Sequence, residues 1–191
     1  MSKTPAMLRP FFKYAEFSGR SNRAEFWLFL LLMYLFLAVL AAFVIGSAYR
    51  NGRIDTDQAL FAYLRWSPVY SLINLAMLVP YLAVAVRRLH DTGRSGWWLV
   101  MPVAVSVVAY VVAFAVNGPQ IISLMMNMVS QMPTDPALTA NPLTVLKLEW
   151  PIFELMLPWV AIPSALAQIV VYILCALPGT PGPNRFGVSP T

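Results

Sequence analysis

The sequence predicts an all-α integral membrane protein, a four-helix bundle with one additional amphipathic helix on its outer face. Three observations carry that expectation. Of 191 residues, 59% are hydrophobic and only 11% charged, against about a quarter charged in a soluble chain, and the mean hydropathy is +0.67. The apolar residues come in long blocks instead of recurring at helical or strand period. Basic residues concentrate in alternate connections, as the positive-inside rule requires of a multi-pass chain.

The first span, residues 27–49, holds 23 residues without a charge, more than the roughly 30 Å hydrocarbon core demands at about 1.5 Å per residue. A cleaved signal peptide is the competing reading, because Gly46, Ser47 and Ala48 are small. The block exceeds the usual apolar core of about 7 to 15 residues and follows 26 residues of chain, so a retained helix is expected. The second span, 67–86, contains Asn74, with Pro68 and Pro80 near its ends, where proline is best tolerated. The third covers 97–116. The fourth covers 151–177, with Glu154 near its start and Pro158 and Pro163 expected to bend it, since each removes a backbone donor. These spans make one membrane domain over residues 1–191.

Orientation follows from the basic residues. Lys3, Arg9, Lys13, Arg20, Arg23, Arg87, Arg88, Arg94 and Arg185 fall on one face; Arg50, Arg53, Arg65 and Lys147 fall on the other. The richer face is expected in the cytoplasm, with both termini there. On the opposite side, residues 120–132 place Gln120, Ser123, Asn127 and Ser130 on a narrow stripe among Met125, Met126, Met128, Met132 and aliphatic side chains. That spacing predicts a separate interfacial or re-entrant helix, packed over the ends of the spans. Pro133, Pro136 and Pro142 then predict an irregular stretch.

Three polar segments meet on the cytoplasmic face, because an even number of crossings returns the chain to the same side. They read Gly-Arg-x-x-Arg-x-Glu-Phe-Trp at 19–27, Arg-Arg-Leu-His-Asp-x-Gly-x-Ser-Gly-Trp-Trp at 87–98, and Gly-x-x-Gly-x-Asn-Arg-Phe-Gly at 179–187. In this order, at helix junctions, they resemble the bacterial inner-membrane family catalogued as domain of unknown function 805, the YhaH-like proteins. The resemblance covers roughly residues 10 to 190. It implies a four-helix domain in a bacterial inner membrane and no reaction. The longer first and third connections depart from the compact members.

The candidate functional cluster is Arg20, Arg23, Glu25, Arg87, Arg88, His90, Asp91, Arg94, Asn184 and Arg185, with Trp27, Trp97 and Trp98 as interface anchors in the positions aromatic belts occupy. Asn22 and Glu25 have the spacing of a capping box. Gly93 can end the second helix in a left-handed conformation and Ser95 can cap the third. A connection this short makes the two helices antiparallel neighbours. His90 is the only histidine; adjacent helical residues do not face each other, so Glu25 is its expected partner instead of Asp91. Arg88, Asp91 and Arg23 are expected to form an ion-pair network, and Arg185 to reach acids of the other two motifs.

The function expected is structural or regulatory, with a basic face meeting anionic lipid headgroups or an unidentified protein partner. The alternative is a binding or catalytic site for a phosphate-bearing or lipid ligand, arginines clamping and His90 with Asp91 or Glu25 acting as acid and base. A transporter or channel ranks last, because such proteins place polar groups near the midplane and here only Asn74 and Gln168 qualify. No catalytic residue, metal or cofactor is assigned. Cys175 is the single cysteine, so neither an internal disulfide nor a paired-cysteine metal site can form. The pI near 9.6 reflects membrane topology and gives no reason to expect nucleic acid as a partner.

Overall fold

The computed structural model describes residues 4–47, 49–50, 53–54, 56–131 and 142–190. A one-turn helix α1 (Arg9–Phe12) precedes the long α2 (Arg23–Ser47). A minimal antiparallel pair follows, β1 (Tyr49–Arg50) with β2 (Arg53–Ile54). Then come α3 (Thr56–Asp91), a 3-10 turn (Gly96–Leu99), α4 (Val100–Ser130) and α5 (Pro142–Ala176). The protein is all-α, and among the described residues four helical stretches are long and apolar enough to cross a membrane: Arg23–Phe43, Leu64–Asp91, Gly96–Ser130 and Glu149–Ala176. Their large apolar side chains face outward in number, Leu31, Leu35, Phe43, Leu72 and Leu75 among them, as lipid-facing helices require.

The helices run further than the uncharged blocks alone suggest. Helix α3 begins at Thr56, eleven residues before the predicted start of its span, and carries Arg65 within it; no glycine or proline stands between Thr56 and Trp66 to stop it. Helix α4 continues unbroken across Pro119 to Ser130, so the stretch expected as a separate helix over 120–132 is, as far as Ser130, the end of α4. The polar side chains there bond to their own helix: Asn117 Nδ2 donates to the Ala113 carbonyl at 2.9 Å, Ser123 Oγ to Gln120 and Ser130 Oγ to Asn127, both at 2.8 Å. Satisfied locally, they give the helix no reason to stop. Met132, Pro133 and Pro136 lie outside the described residues. Pro142, expected in an irregular stretch, is the first residue of α5, where a missing N–H is harmless.

The chain divides into two compact units, residues 1–99 with 171–191, and residues 100–170. In the first, α2 packs on α3 around a core of Phe26, Phe29, Leu30, Ala83, Val84 and Leu89, with Val171 and Cys175 from the end of α5. Phe11 meets Phe29 edge to face at 5.3 Å. In the second, Ser106 and Ser164 share a hydrogen bond at 2.8 Å.

One proline in α3 has a compensating partner. Pro80 has no N–H for the carbonyl four residues back, Ala76. The Tyr14 hydroxyl donates to that carbonyl at 2.5 Å. The acceptor orphaned by the proline is thereby filled from the N-terminal segment.

Candidate functional site

Each of the three polar motifs is shaped by local rules before it meets the others. Asn22 caps α2, its Oδ1 accepting from the Glu25 N–H at 2.8 Å. Helix α3 ends in a Schellman arrangement: Gly93 takes φ +76°, its N–H donating to the His90 carbonyl at 3.0 Å while the Arg94 N–H donates to Leu89 at 2.9 Å. The hairpin is tight, since a methyl on Gly96 would stand 2.9 Å from Val86. The 3-10 turn then leads into α4, with the Trp98 N–H on the Ser95 backbone carbonyl at 3.5 Å. The expected Ser95 side-chain cap is replaced by this turn.

At the centre lies Asp91. Its Oδ1 accepts from Arg20 Nε at 2.9 Å, with Arg20 Nη2 at 2.8 Å, and its Oδ2 accepts from Arg88 Nη1. Arg88 is wholly buried. Its Nε donates to the Cys175 carbonyl at 2.7 Å and its Nη2 to that of Leu177, which are carbonyls at the end of α5 with no helical donor. The tail returns the favour to α3. The Thr180 N–H donates to the Asp91 carbonyl at 2.8 Å, and Asn184 Nδ2 to the His90 carbonyl at 3.0 Å. Helices α3 and α5 therefore cap each other's C-termini.

Arg20 locks the tail in turn, donating to the carbonyls of Thr180 at 2.7 Å and Gly182 at 2.6 Å. Gly179 has to be glycine here, because a methyl would fall on the Asp91 carboxylate, 2.7 Å from Cγ. A second pair stands beside the first. Arg87 Nη2 donates to Glu25 Oε1 at 3.1 Å, and Arg87 Nη1 to the Glu16 carbonyl at 2.7 Å, tying the N-terminal segment to α3. The Ser21 N–H donates to the Arg87 carbonyl at 3.1 Å. Arg20, Arg87, Arg88, Glu25 and Asp91 are all buried. Three guanidinium groups face two carboxylates, and the surplus positive charge sits at two helix C-termini, each equivalent to roughly half a negative charge. The clasp is close to neutral without an added anion.

Several expected partnerships differ. His90 does not meet Glu25, whose carboxylate is taken by Arg87; its Nδ1 lies 3.1 Å from the Gly19 carbonyl and its ring stacks on Phe186, centroids 3.8 Å apart and planes at 3°. Glu25 also does not reach back to close a capping box. Arg23 is exposed and is not the partner of Asp91; that place belongs to Arg20. Arg185 reaches no acid: its guanidinium lies 4.6 Å from the Phe186 ring centroid, and Nη2 is 3.5 Å from the Gly93 carbonyl. Arg94 bonds locally to the Thr92 carbonyl at 3.3 Å. Trp27, Trp97 and Trp98 are exposed, Trp27 with one edge on Phe26.

Of the candidate cluster, the structure brings together Arg20, Glu25, Arg87, Arg88, His90, Asp91 and Asn184, and leaves Arg23, Arg94 and Arg185 outside it. Ser21, Gly179, Thr180 and Phe186 belong to it as well; Gly179 and Phe186 stand in the third motif, whereas Ser21 and Thr180 fall on unspecified positions of the first and third motifs. Among the described residues, no three His, Cys, Asp or Glu side chains converge as a metal site would require.

Residues 14–188 match the family described as protein of unknown function, DUF805. The chain is similar to the inner membrane protein YhaI of Escherichia coli, 35% identical over 88 residues, 46% of this chain and 62% of that protein. It is similar also to the inner membrane protein YhaH of Escherichia coli, 30% identical over 90 residues, 46% and 64% respectively. The uncharacterized protein YiiR of the same organism is 32% identical over 83 residues, 44% and 46% respectively. These matches span less than two thirds of each relative. No solved structure matches the chain.

Proposed function

The chain belongs to the DUF805 family of unknown function, and on that premise we propose that it is a non-enzymatic inner-membrane protein with both termini in the cytoplasm. Its polar clasp is structural, and the arginines outside the clasp present a basic face to anionic headgroups. The observation that carries this reading is the reciprocal capping of α3 and α5. Both Asp91 oxygens are taken by arginines, and the guanidinium groups of Arg20, Arg87 and Arg88 are spent on the two carboxylates and on backbone carbonyls. Arg87 Nε is the one buried side-chain polar atom without a partner among the described residues. A general base needs a free carboxylate or imidazole aimed at a substrate proton; the two carboxylates are held by arginines and His90 is stacked beneath Phe186. The arginines turned outward, Arg23 and Arg185 with Arg94 beside them, remain for lipid, each near-surface charge contributing about 1 kcal/mol of attraction. The inner-membrane location draws on the names of YhaI and YhaH and on four membrane-capable helices.

The test is lipid analysis of protein purified from native membrane. Phosphatidylglycerol or another anionic lipid should be enriched over neutral lipid, and Arg23→Gln/Arg94→Gln/Arg185→Gln should lower the enrichment without moving the unfolding midpoint. Equal retention of neutral and anionic lipid would sink the proposal.

A further inference from the structure

The N-terminal segment does not stand clear of the apolar helices. Tyr14 is bonded to the Ala76 carbonyl, which lies eleven residues before Arg87, about 16 Å along α3. Ala76 is well inside a stretch apolar enough to cross a membrane. A segment anchored there runs beside a membrane-capable helix, where outward side chains would meet the headgroup and acyl boundary. Those side chains suit that place. Phe12 is 79% exposed and Leu8 and Phe17 are also open, while Arg9 and Lys13 carry charge on the same short stretch. Apolar bulk alternating with basic groups marks chains that lie in the interface plane.

Between this segment and the tail runs a groove of about 670 Å³, within the range of small-molecule sites. Phe12 and Val188 are among its apolar lining; its cations are Arg9, Lys13 and Arg20, and its carboxylate is Glu25. Arg20 and Glu25 are already committed to Asp91 and Arg87. Among the described residues, Arg9 spends only Nε, on the Thr4 carbonyl at 3.3 Å. Lys13 meets Glu16 at 3.6 Å with both half-exposed, a pair too weak to hold it against a phosphate. The uncommitted charge of the groove is therefore positive and lies beside an apolar wall. Free phosphate would have no use for that wall, and a neutral lipid none for the cations.

We infer that this groove seats one anionic phospholipid, its phosphate between Arg9 and Lys13 and an acyl chain along Phe12 and Val188. The inference rests on the reading that this end of the protein faces anionic lipid, and it gives that reading a site. The experiment is native mass spectrometry of the full chain in detergent with phosphatidylglycerol, phosphatidylcholine or glycerol 3-phosphate. Phosphatidylglycerol should be retained at least tenfold over phosphatidylcholine, and glycerol 3-phosphate should not displace it. Arg9→Gln/Lys13→Gln should weaken phosphatidylglycerol roughly 30-fold, the equivalent of two near-surface basic groups, and leave phosphatidylcholine unchanged. Phe12→Ser/Val188→Ser, at exposed positions, should weaken both lipids. Competition by glycerol 3-phosphate, or undiminished phosphatidylglycerol binding in both double variants, overturns the site. If only Arg23→Gln/Arg94→Gln/Arg185→Gln loses the lipid, the groove fails and the basic face stands; if no charge substitution matters, both fail.

Discussion

Replacing Asp91 with asparagine tests the clasp at its centre. The change keeps size and shape and removes one charge. Asp91 accepts from Arg20 on Oδ1 and from Arg88 on Oδ2, whereas asparagine offers one oxygen and one donor group, so one arginine is left facing N–H groups. A hydrogen bond to a charged group contributes about 1.5 to 3 kcal/mol, and removing one partner of a buried pair costs about 3 to 5 kcal/mol. Both guanidinium groups keep carbonyl acceptors, which holds the loss near the lower figure, about 3 kcal/mol. Titration of micelle-solubilised protein with dodecyl sulfate, followed by tryptophan fluorescence, measures it. The cycle with Arg20→Gln separates the pair from its parts: the double variant should cost clearly less than the sum of the singles. A shift of under about 0.5 kcal/mol for Asp91→Asn, the level of an ordinary surface change, would refute the argument that these charges hold the helix ends together.

Gly179→Ala should destabilise by about 1 to 3 kcal/mol in the same titration, the usual penalty of overpacking, because its methyl meets the Asp91 carboxylate; Gly182→Ala, with open space but φ +70°, should cost less. Tyr14→Phe should cost about 1 to 3 kcal/mol by unsatisfying the Ala76 carbonyl, and should become nearly silent in a Pro80→Ala background, where the restored N–H serves that carbonyl; equal cost in both backgrounds would disprove the assignment. Phe186→Ala should lose about 0.5 to 1.5 kcal/mol beyond area burial and shift the His90 ring resonances in NMR, since the rings are stacked. Arg23→Gln should change stability by less than about 0.5 kcal/mol, in contrast with Arg20→Gln three residues earlier.

Composition was enough to read the fold class, and uncharged length was enough to locate the four apolar stretches. Both are bulk properties that the bilayer enforces. Helix ends were less legible. Residues 56–66 read as a connection, yet hold neither glycine nor proline to stop a helix; residues 120–130 read as part of a helix of their own, yet α4 runs across Gly118 and Pro119 into them, with local side-chain bonds such as Asn117 to Ala113. The polar site was legible as three motifs on one end, since spacing and topology bring them together. Its pairing was not. Charge alone cannot rank Arg20 above Arg23 as the partner of Asp91; the difference is that Arg23 is the first residue of α2, directed outward, while Arg20 precedes the cap. The arginines' chief partners are also backbone carbonyls, which every residue possesses and no motif reveals. Thr180 was invisible for the same reason, acting largely through its main chain, and Gly179 stood in a motif without any sign that its missing side chain makes room for Asp91.

Reciprocal capping also sets an order of assembly. Arg20 leaves the ribosome first, Arg88 and Asp91 much later, and the Thr180 to Gly187 tail last. Until that tail arrives, the C-terminal carbonyls of His90 and Asp91 lack the donors supplied by Asn184 and Thr180, and Arg20 lacks its Gly182 acceptor. Closure of the clasp therefore waits for residues 179–187: Arg20 and the end of α3 gain their full set of partners only once that segment has packed against them. A nonsense mutation just after Leu177 would keep all four apolar stretches and still leave these helix ends uncapped and open to a membrane protease.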